Sequence, residues 1–350
     1  EESTPATSRA LIGAQERWRR AGHQTCTNRS GPAMIAPMQS PLPYIDADEL
    51  FRLVSLTDAL NALRDCFAGS PRHVDRVHSS AGGGEFLVMP AAAGDAAGVK
   101  LVGIQPANPT RGLPIIQGVY VLFDMRIGQA VALLDGAALT TLRTPMISAL
   151  ATDVLARRDA RSLGIIGTGP QAIAHVQAMR VVRPDIDEVV VAGRTQSHVS
   201  DVVDELEAAG EPVAAGSFSD AARCDIVCSA TRSDSALFGL ADVSAGAHIN
   251  LVGSYRLDLR EVGADLVAAA TIAVDDLDAA RAEAGDLHLA EQEGAWSWDR
   301  VAGDLTDLAG GRLARTSYAE ITLFKSVGLA VQDLVIAQRA AAAAGILEAL

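Results

Sequence analysis

The sequence predicts an α/β protein in two parts: a doubly wound parallel sheet in its rear half, preceded by a mostly antiparallel sheet with helices. Three observations predict this. Beyond Asp159, short apolar runs alternate with helical stretches at a spacing of about 25 residues, the pattern of a parallel sheet covered on both faces. Before that point, turn signals such as Gly82-Gly83-Gly84 separate strand-like runs, the pattern of hairpins. Finally, the chain is 49% hydrophobic but only 4% aromatic, so Val, Leu, Ile and Ala must build the core, which suits close helix-on-sheet packing.

In chain order, residues 1–40 read as a disordered tail. They carry Arg17, Trp18, Arg19 and Arg20 after a Ser- and Thr-rich start, and lack the positive start and apolar stretch of a targeting peptide. Met34 and Met38 read as natural starts. From Pro43, the acidic Asp46, Asp48 and Glu49 precede Leu50, Phe51, Val54 and Leu60, spaced as an amphipathic helix pair. Arg76–Pro90 reads as two strands split by the glycines. Val99–Gln105, Gly118–Asp124 and Gln129–Leu134 add three strands, with turns at Pro106–Gly112 and Met125–Gly128. Ala137–Ala156 is helical by composition. The parallel strands are Leu163–Ile166, Glu188–Ala192, Val213–Ala215, Ile226–Ala230, His248–Val252 and Thr271–Val274, and Ile321–Leu350 reads as one long Ala-rich helix.

Composition excludes several function classes. The net charge of −14 and a pI near 4.9 repel phosphate backbones, which argues against a nucleic-acid partner but allows a local basic pocket. No apolar run reaches the ~18 residues that span a bilayer, so no membrane partner is expected. Cys26, Cys66, Cys224 and Cys228 are too few for a disulfide framework, and the Cys224/Cys228 pair lacks the second pair a zinc site would need. A reducing, cytoplasmic location fits, and no metal is expected.

The segment Gly164-Ile165-Ile166-Gly167-Thr168-Gly169-Pro170-Gln171-Ala172 follows a strand and opens a helix. Gly167 permits the tight turn, Gly169 lets the backbone approach a pyrophosphate, and Ala172 is small enough for close helix–strand contact. The helix N-terminus offers free N–H groups and a positive dipole to the anion, and Pro170 is tolerated there because its missing N–H would have gone unpaired. This is a Rossmann-like dinucleotide site. At the end of the next strand, where NAD sites place a carboxylate, the chain has Gly193-Arg194-Thr195-Gln196-Ser197. Arg194, with the Thr195 and Ser197 hydroxyls in reach, suits a 2′-phosphate, so NADP(H) is expected over NAD(H).

Arg76, Lys100 and Arg143 each sit within or beside an apolar run, where a charge needs a partner. Taken alone, each also fits an edge-facing charge. The blocks Met89-Pro90-Ala91, Gly98-Val99-Lys100, Asn108-Pro109-Thr110-Arg111-Gly112-Leu113-Pro114, Leu134-Asp135-Gly136 and Thr140-Thr141-Leu142-Arg143-Thr144 carry more. With the glycine turn, Ala230-Thr231, His248-Ile249-Asn250-Leu251-Val252-Gly253-Ser254 and Phe324-Lys325-Ser326-Val327-Gly328, they resemble the ornithine cyclodeaminase / mu-crystallin family over about residues 43–345.

The resemblance implies that Arg76, Lys100 and Arg143 hold a substrate carboxylate, with Lys100 assisting proton supply. It implies that Thr144, Pro170, Gln171, Arg194, Thr195, Thr231, Val252 and Ser254 contact the cofactor; with Gly167, Gly169, Ala172, Ser197 and Gly253 they make up the expected cofactor site. It further implies that residues 41–143 with 320–350 make a substrate-binding domain that forms a homodimer through its sheet and is completed by the C-terminal helix. Residues 144–319 would then be the NADP-binding domain. The chain departs from the cyclodeaminases at two positions: Tyr255 stands where they have Asp, and Leu87 where they have Glu. Asp258 lies three residues late.

Both departures argue against ornithine and point to NADPH-dependent reduction of a cyclic ketimine carboxylate, of the pyrroline-2-carboxylate or piperideine-2-carboxylate type. An alanine or N-substituted amino-acid dehydrogenase, an ornithine cyclodeaminase and a non-catalytic NADP(H)-binding protein are the alternatives. Other polar residues get plainer readings. His73 and His78 are placed at the surface, His248 in the core, and Asp275, Asp276, Asp278, Asp304 and Asp307 at solvated strand ends.

Overall fold

The computed structural model describes residues 41–347, so the tail reading for residues 1–40 lies outside the described residues. The first sheet follows from two-residue alternation. Its strands are Tyr44–Ile45 (β1), Val77–Ala81 (β2), Gly84–Ala93 (β3), Ala96–Ile104 (β4), Ile116–Asp124 (β5) and Gln129–Asp135 (β6), in the order β1-β6-β5-β4-β3-β2. β2 to β6 pair antiparallel, and β1 joins β6 in parallel. Along β4, Gly98, Lys100, Val102 and Ile104 share one face, and Val99 and Leu101 the other. Gly98 leaves room for the Tyr120 ring, because a Cβ there would lie 2.2 Å from Tyr120 Oη. The helices Gly136–Leu155 and Ala330–Ala343 cover the inner face, with Leu56–Ala68 packed behind them. Asp46 and Ser55 cap the first two helices by accepting the N–H of Glu49 and Asp58, as the acidic and hydroxyl residues at those positions predict.

The second sheet has eight parallel strands: Ser162–Ile166 (β7), Glu188–Ala192 (β8), Val213–Ala215 (β9), Ile226–Ser229 (β10), His248–Leu251 (β11), Thr271–Val274 (β12), Val301–Asp304 (β13) and Thr322–Lys325 (β14). They run in the order β13-β12-β14-β11-β10-β7-β8-β9. β10 and β11 are buried along their whole length, as central strands covered on both faces are, and the polar Ser229, His248 and Asn250 are buried with them. The chain winds outward from β7 to β9, then returns to β10 on the other side of β7. That reversal opens a crevice at the C-terminal strand ends, where ligands bind in such sheets.

Two readings need correction. Ile321–Leu350 is not one helix: Thr322–Lys325 is a buried strand between β12 and β11, and the helix starts only at Ala330. A four-residue apolar run is too short for periodicity to separate strand from helix. Gly328, at φ +83, breaks the chain between the two elements. The half-buried edge strand Val301–Asp304 carries no clear sequence signal either. The domain boundary placed at 143/144 falls inside the helix Gly136–Leu155, which packs on both sheets. From Leu42 onward the chain forms one compact unit with one continuous apolar core.

Candidate active site

The glycine turn joins β7 to the helix Pro170–Val182. Gly167 has φ +130, and a Cβ on it would lie 2.9 Å from the Ala230 carbonyl oxygen, so both backbone and space require glycine. Gly169 is the N-cap of the helix, makes no side-chain cap and faces open space, so the first N–H groups are left for an anion. Ala172 is buried where the helix meets the sheet. A cavity of about 300 Å³ beside the turn is lined by Gly167, Thr168, Arg194, Thr195, Thr231 and Arg232, among others.

Two buried polar atoms nearby, Thr144 Oγ1 and Gln171 Oε1, have no hydrogen-bond partner. Orphaned acceptors and donors of this kind, with a free helix N-terminus over an open cavity, fit a bound dinucleotide. Val252 and Gly253 are half-buried at the end of β11. The Ser254 hydroxyl is committed to its own loop, donating to the Leu259 carbonyl at 3.1 Å. Ser197 is exposed on the next helix and is not among the residues lining this cavity.

The three cations come together at the strand ends of the second sheet, and none is an edge charge. Lys100 is 2% exposed; its Nζ lies 2.8 Å and 2.9 Å from the two carboxylate oxygens of Asp333 and donates to Thr140 Oγ1 at 3.1 Å. Arg143 donates through Nη1 to Gln332 Oε1 at 3.0 Å, and its Nε sits 3.5 Å from Asp333. Arg76 pairs through Nε with Glu283 at 2.9 Å, while its Nη2 donates to the Val327 and Gly328 carbonyls. Gly328 is where two of them meet: a Cβ there would lie 2.7 Å from Arg143 Nη1. Arg76 Nη1 and Arg143 Nη2 have no acceptor among the described residues, so each guanidinium keeps donors for a further anion.

The carboxylates that steady these cations were not found in the sequence. Asp333 is fully buried on the final helix, where a Gln-Asp pair inside an Ala-rich run looks solvent-facing until strand β4 is laid against it. Asp275 is corrected from a solvated strand end: it is 2% exposed and accepts from Ser326 Oγ, Val327 N and Gly328 N, fixing the loop that holds Arg76. Asp276 caps the next helix, and Asp304 and Asp307 form a capping box.

Burial pushes the Glu283 carboxyl up to about 7, against the pull of Arg76. Burial likewise brings the Lys100 ammonium down to about 8, with Asp333 as the main opposing attraction. His73 is corrected from surface to half-buried, its Nε2 3.1 Å from Asp75, while His78 is exposed near Glu283. His248 is fully buried and bonded to Thr322, as expected of a core histidine.

The two departures from the cyclodeaminase pattern meet in space. Leu87 packs with Val102 and Ile104 on the sheet face that carries Lys100, and Tyr255 packs against the same cluster from the second sheet. Asp258 is no substitute carboxylate, because it is exposed and paired with Arg256 at 2.8 Å. The inner face of the first sheet therefore carries buried Lys100 beside an apolar cluster of Leu87, Val102 and Ile104, with Tyr255 packed on it. Among the described residues no group of His, Cys, Asp and Glu is arranged to hold a metal, and no helix is long and apolar enough to cross a membrane.

Comparison with known proteins shows the family and the fold. The model of the ornithine cyclodeaminase/mu-crystallin family matches residues 47–342. A Delta(1)-pyrroline-2-carboxylate reductase of Bacillus cereus is 36% identical over 259 residues, covering 72% of this chain and 79% of that protein. The structure of Thermococcus litoralis Delta(1)-pyrroline-2-carboxylate reductase in complex with NADH and L-proline superposes with a TM-score of 0.83 at 29% identity, covering 87% of this chain and 97% of that one. An archaeal alanine dehydrogenase dimer with bound NAD superposes with a TM-score of 0.82 at 29% identity, over 87% and 96% of the two chains. With the family model matching most of its length, and with relatives of 36% identity covering 72% of it, the chain belongs to the ornithine cyclodeaminase/mu-crystallin family.

Proposed function

We propose that this protein is an NADPH-dependent reductase of a small cyclic ketimine carboxylate, of the pyrroline-2-carboxylate or piperideine-2-carboxylate type, yielding the cyclic L-amino acid. The relatives that carry reductase and dehydrogenase names support an NAD(P)-dependent oxidoreductase acting on C–N bonds. The finer reading is supported by the neighbourhood of buried cations and an apolar wall on one sheet face, Lys100 beside Leu87, Val102, Ile104 and the packed Tyr255. A diamino acid would set its distal ammonium against this apolar wall and leave it unpaired, at about 1–3 kcal/mol. A ring carboxylate has no such group.

Charge balance favours the carboxylate. Arg76, Lys100 and Arg143 face the buried carboxylates Asp333 and Asp275, and a Glu283 carboxyl raised by burial to about 7. With Glu283 protonated, one positive charge is left over for the substrate anion. Arg143 and Arg76 supply the free donors, and Lys100, held by Asp333 and Thr140, supplies a third contact and the proton that the imine nitrogen requires, directly or through water. Glu283 gives the site a second proton carrier. A bound reduced nicotinamide dinucleotide supplies the hydride. The chain's part is orientation: fixing the acid against the strand ends is worth several kcal/mol of barrier, about 7–11 at the upper end.

The preference for NADP(H) rests on Arg194, which is exposed, lines the cavity beside the glycine turn with Thr195, and has no carboxylate partner among the described residues. The outer face of the first sheet presents Val88, Val99, Leu101, Val119, Val121 and Phe123, all half-exposed, and is proposed as the surface of a homodimer. The test of the reaction is NADPH oxidation with pyrroline-2-carboxylate, comparing wild type with Arg143→Ala. Loss of charge-assisted hydrogen bonds worth about 1.5–3 kcal/mol each predicts a ten- to hundredfold fall in kcat/KM. An Arg143→Ala protein as active as wild type contradicts the assigned role.

A further inference from the structure

A second buried ionic cluster lies under the strand ends, away from the cations described above. Glu261 is fully buried, and its carboxylate receives four hydrogen bonds. Oε1 accepts from Ser229 Oγ at 2.6 Å, Thr231 N at 2.8 Å and Thr231 Oγ1 at 2.9 Å, and Oε2 accepts from Gly253 N at 2.9 Å. One side chain thus ties the loop after β10 to the loop after β11. Gly253 accommodates this contact only as glycine, because a Cβ there would lie 2.1 Å from Thr231 N and 2.7 Å from Glu261 Oε1.

The clamp is itself held. Asp286 accepts the backbone N–H of Glu261 at 2.5 Å and of Val262 at 3.2 Å. Lys325, at the end of β14, pairs with Asp286 at 2.8 Å and donates to the Ser254 carbonyl at 2.8 Å. Both partners of that pair are fully buried. The cluster therefore fixes three consecutive strand ends, those of β10, β11 and β14, relative to one another. Such an arrangement is costly to build, since each buried charge loses its hydration. Thr231 lines the same cavity as Gly167, Arg194 and Thr195, so what the clamp positions is one wall of the dinucleotide site.

We infer that Glu261 is a positioning residue for the cofactor, holding the Thr231 and Gly253 backbones at the separation that a bound dinucleotide requires. The inference rests on the dinucleotide-site reading above. Glu261→Gln tests it selectively. The amide NH2 can donate to the Ser229 and Thr231 hydroxyls, which accept as well as donate, but it cannot accept from the Thr231 N–H or the Gly253 N–H; whichever it faces, one backbone bond of the clamp is lost and the link between the loops weakens.

Dissociation constants of NADH and NADPH would be measured by fluorescence titration, with amide hydrogen exchange at Thr231 and Gly253. Expected is an approximately tenfold weaker affinity, about 1.4 kcal/mol, for both dinucleotides alike, with faster exchange at Thr231 or at Gly253, whichever N–H the amide nitrogen faces. The KM for the imino acid should change by less than about twofold. Ser229→Ala removes a single donor to Glu261 Oε1 and so loosens the clamp more mildly; it is expected to weaken both dinucleotides about threefold even if Glu261→Gln does not fold. Unchanged dinucleotide affinity in either variant overturns the inference, as do unchanged exchange rates at both Thr231 and Gly253 in Glu261→Gln. Wild-type protein that binds neither dinucleotide overturns the site reading itself, a separate result.

Discussion

Replacing Asp333 by Asn leaves the side-chain shape and removes the anion between Lys100 and Arg143. In the wild type, both Asp333 oxygens lie within 2.9 Å of Lys100 Nζ. Burial lowers the Lys100 ammonium to about 8, and the attraction and hydrogen bond of Asp333 are what keep it from falling further, while Arg143 and Arg76 push the other way. The charged ammonium is the form that binds a carboxylate, so kcat/KM for the ketimine should fall as pH rises through about 8. Without Asp333, desolvation and the two arginines act unopposed. The limb should move down by at least ~1 pH unit, equivalent to ~1.4 kcal/mol. Lys100 would then pass from about nine-tenths charged at pH 7 to half or less.

The assay is the pH profile of log kcat/KM for NADPH-linked reduction of pyrroline-2-carboxylate, in both proteins at saturating cofactor. A purely structural loss would lower the whole profile without moving its limb. An alkaline limb at the same pH in Asp333→Asn and wild type refutes the reasoning.

Other consequences follow from the same geometry. Glu283, raised by burial to about 7, leaves a positive charge uncompensated only while protonated. Inhibition by a carboxylate such as proline should therefore weaken as pH rises through about 7, and Glu283→Gln, which cannot ionise, should abolish that dependence while leaving the Lys100 limb. Gly328→Ala places a side chain at φ +83 and 2.7 Å from Arg143. It should cost about 1–2 kcal/mol of backbone strain, read by thermal unfolding, and raise the KM for the imino acid at least about tenfold by displacing the guanidinium. Arg194→Ala should weaken NADPH binding ten- to hundredfold, the worth of a charge-assisted pair, with NADH affinity unchanged in the same titration; equal losses for both would assign Arg194 to a part of the cofactor they share.

The sequence shows the parts of this molecule whose chemistry is local. The glycine turn, the six parallel strands read in advance and the hairpins around Gly82–Gly84 depend on nearest neighbours and period, and each stands where those signals put it. β14 is hidden because four buried residues carry too little pattern, and because its neighbours β11 and β12 are distant in sequence.

The same limit explains the site. Arg76, Lys100 and Arg143 are visible as charges in apolar surroundings. Asp333, Glu283 and Asp275 look like ordinary surface acids until long-range packing encloses them. Asp275 was misread for that reason: a carboxylate after a strand is usually solvated, and only the return of Ser326–Gly328 across it makes it a buried acceptor. The convergence of Leu87 and Tyr255 is also a tertiary fact. Each departure from the cyclodeaminase pattern is legible singly, but that they form one apolar wall is not.

The direct test is to mix the wild-type protein with NADPH and enzymatically generated pyrroline-2-carboxylate or piperideine-2-carboxylate, then follow absorbance at the nicotinamide band and identify the product by chiral chromatography. One NADPH is expected to be oxidised per L-proline or L-pipecolate formed. Protein that binds NADPH yet oxidises none of it with either ring would contradict the proposal and leave a dinucleotide-binding fold with another task.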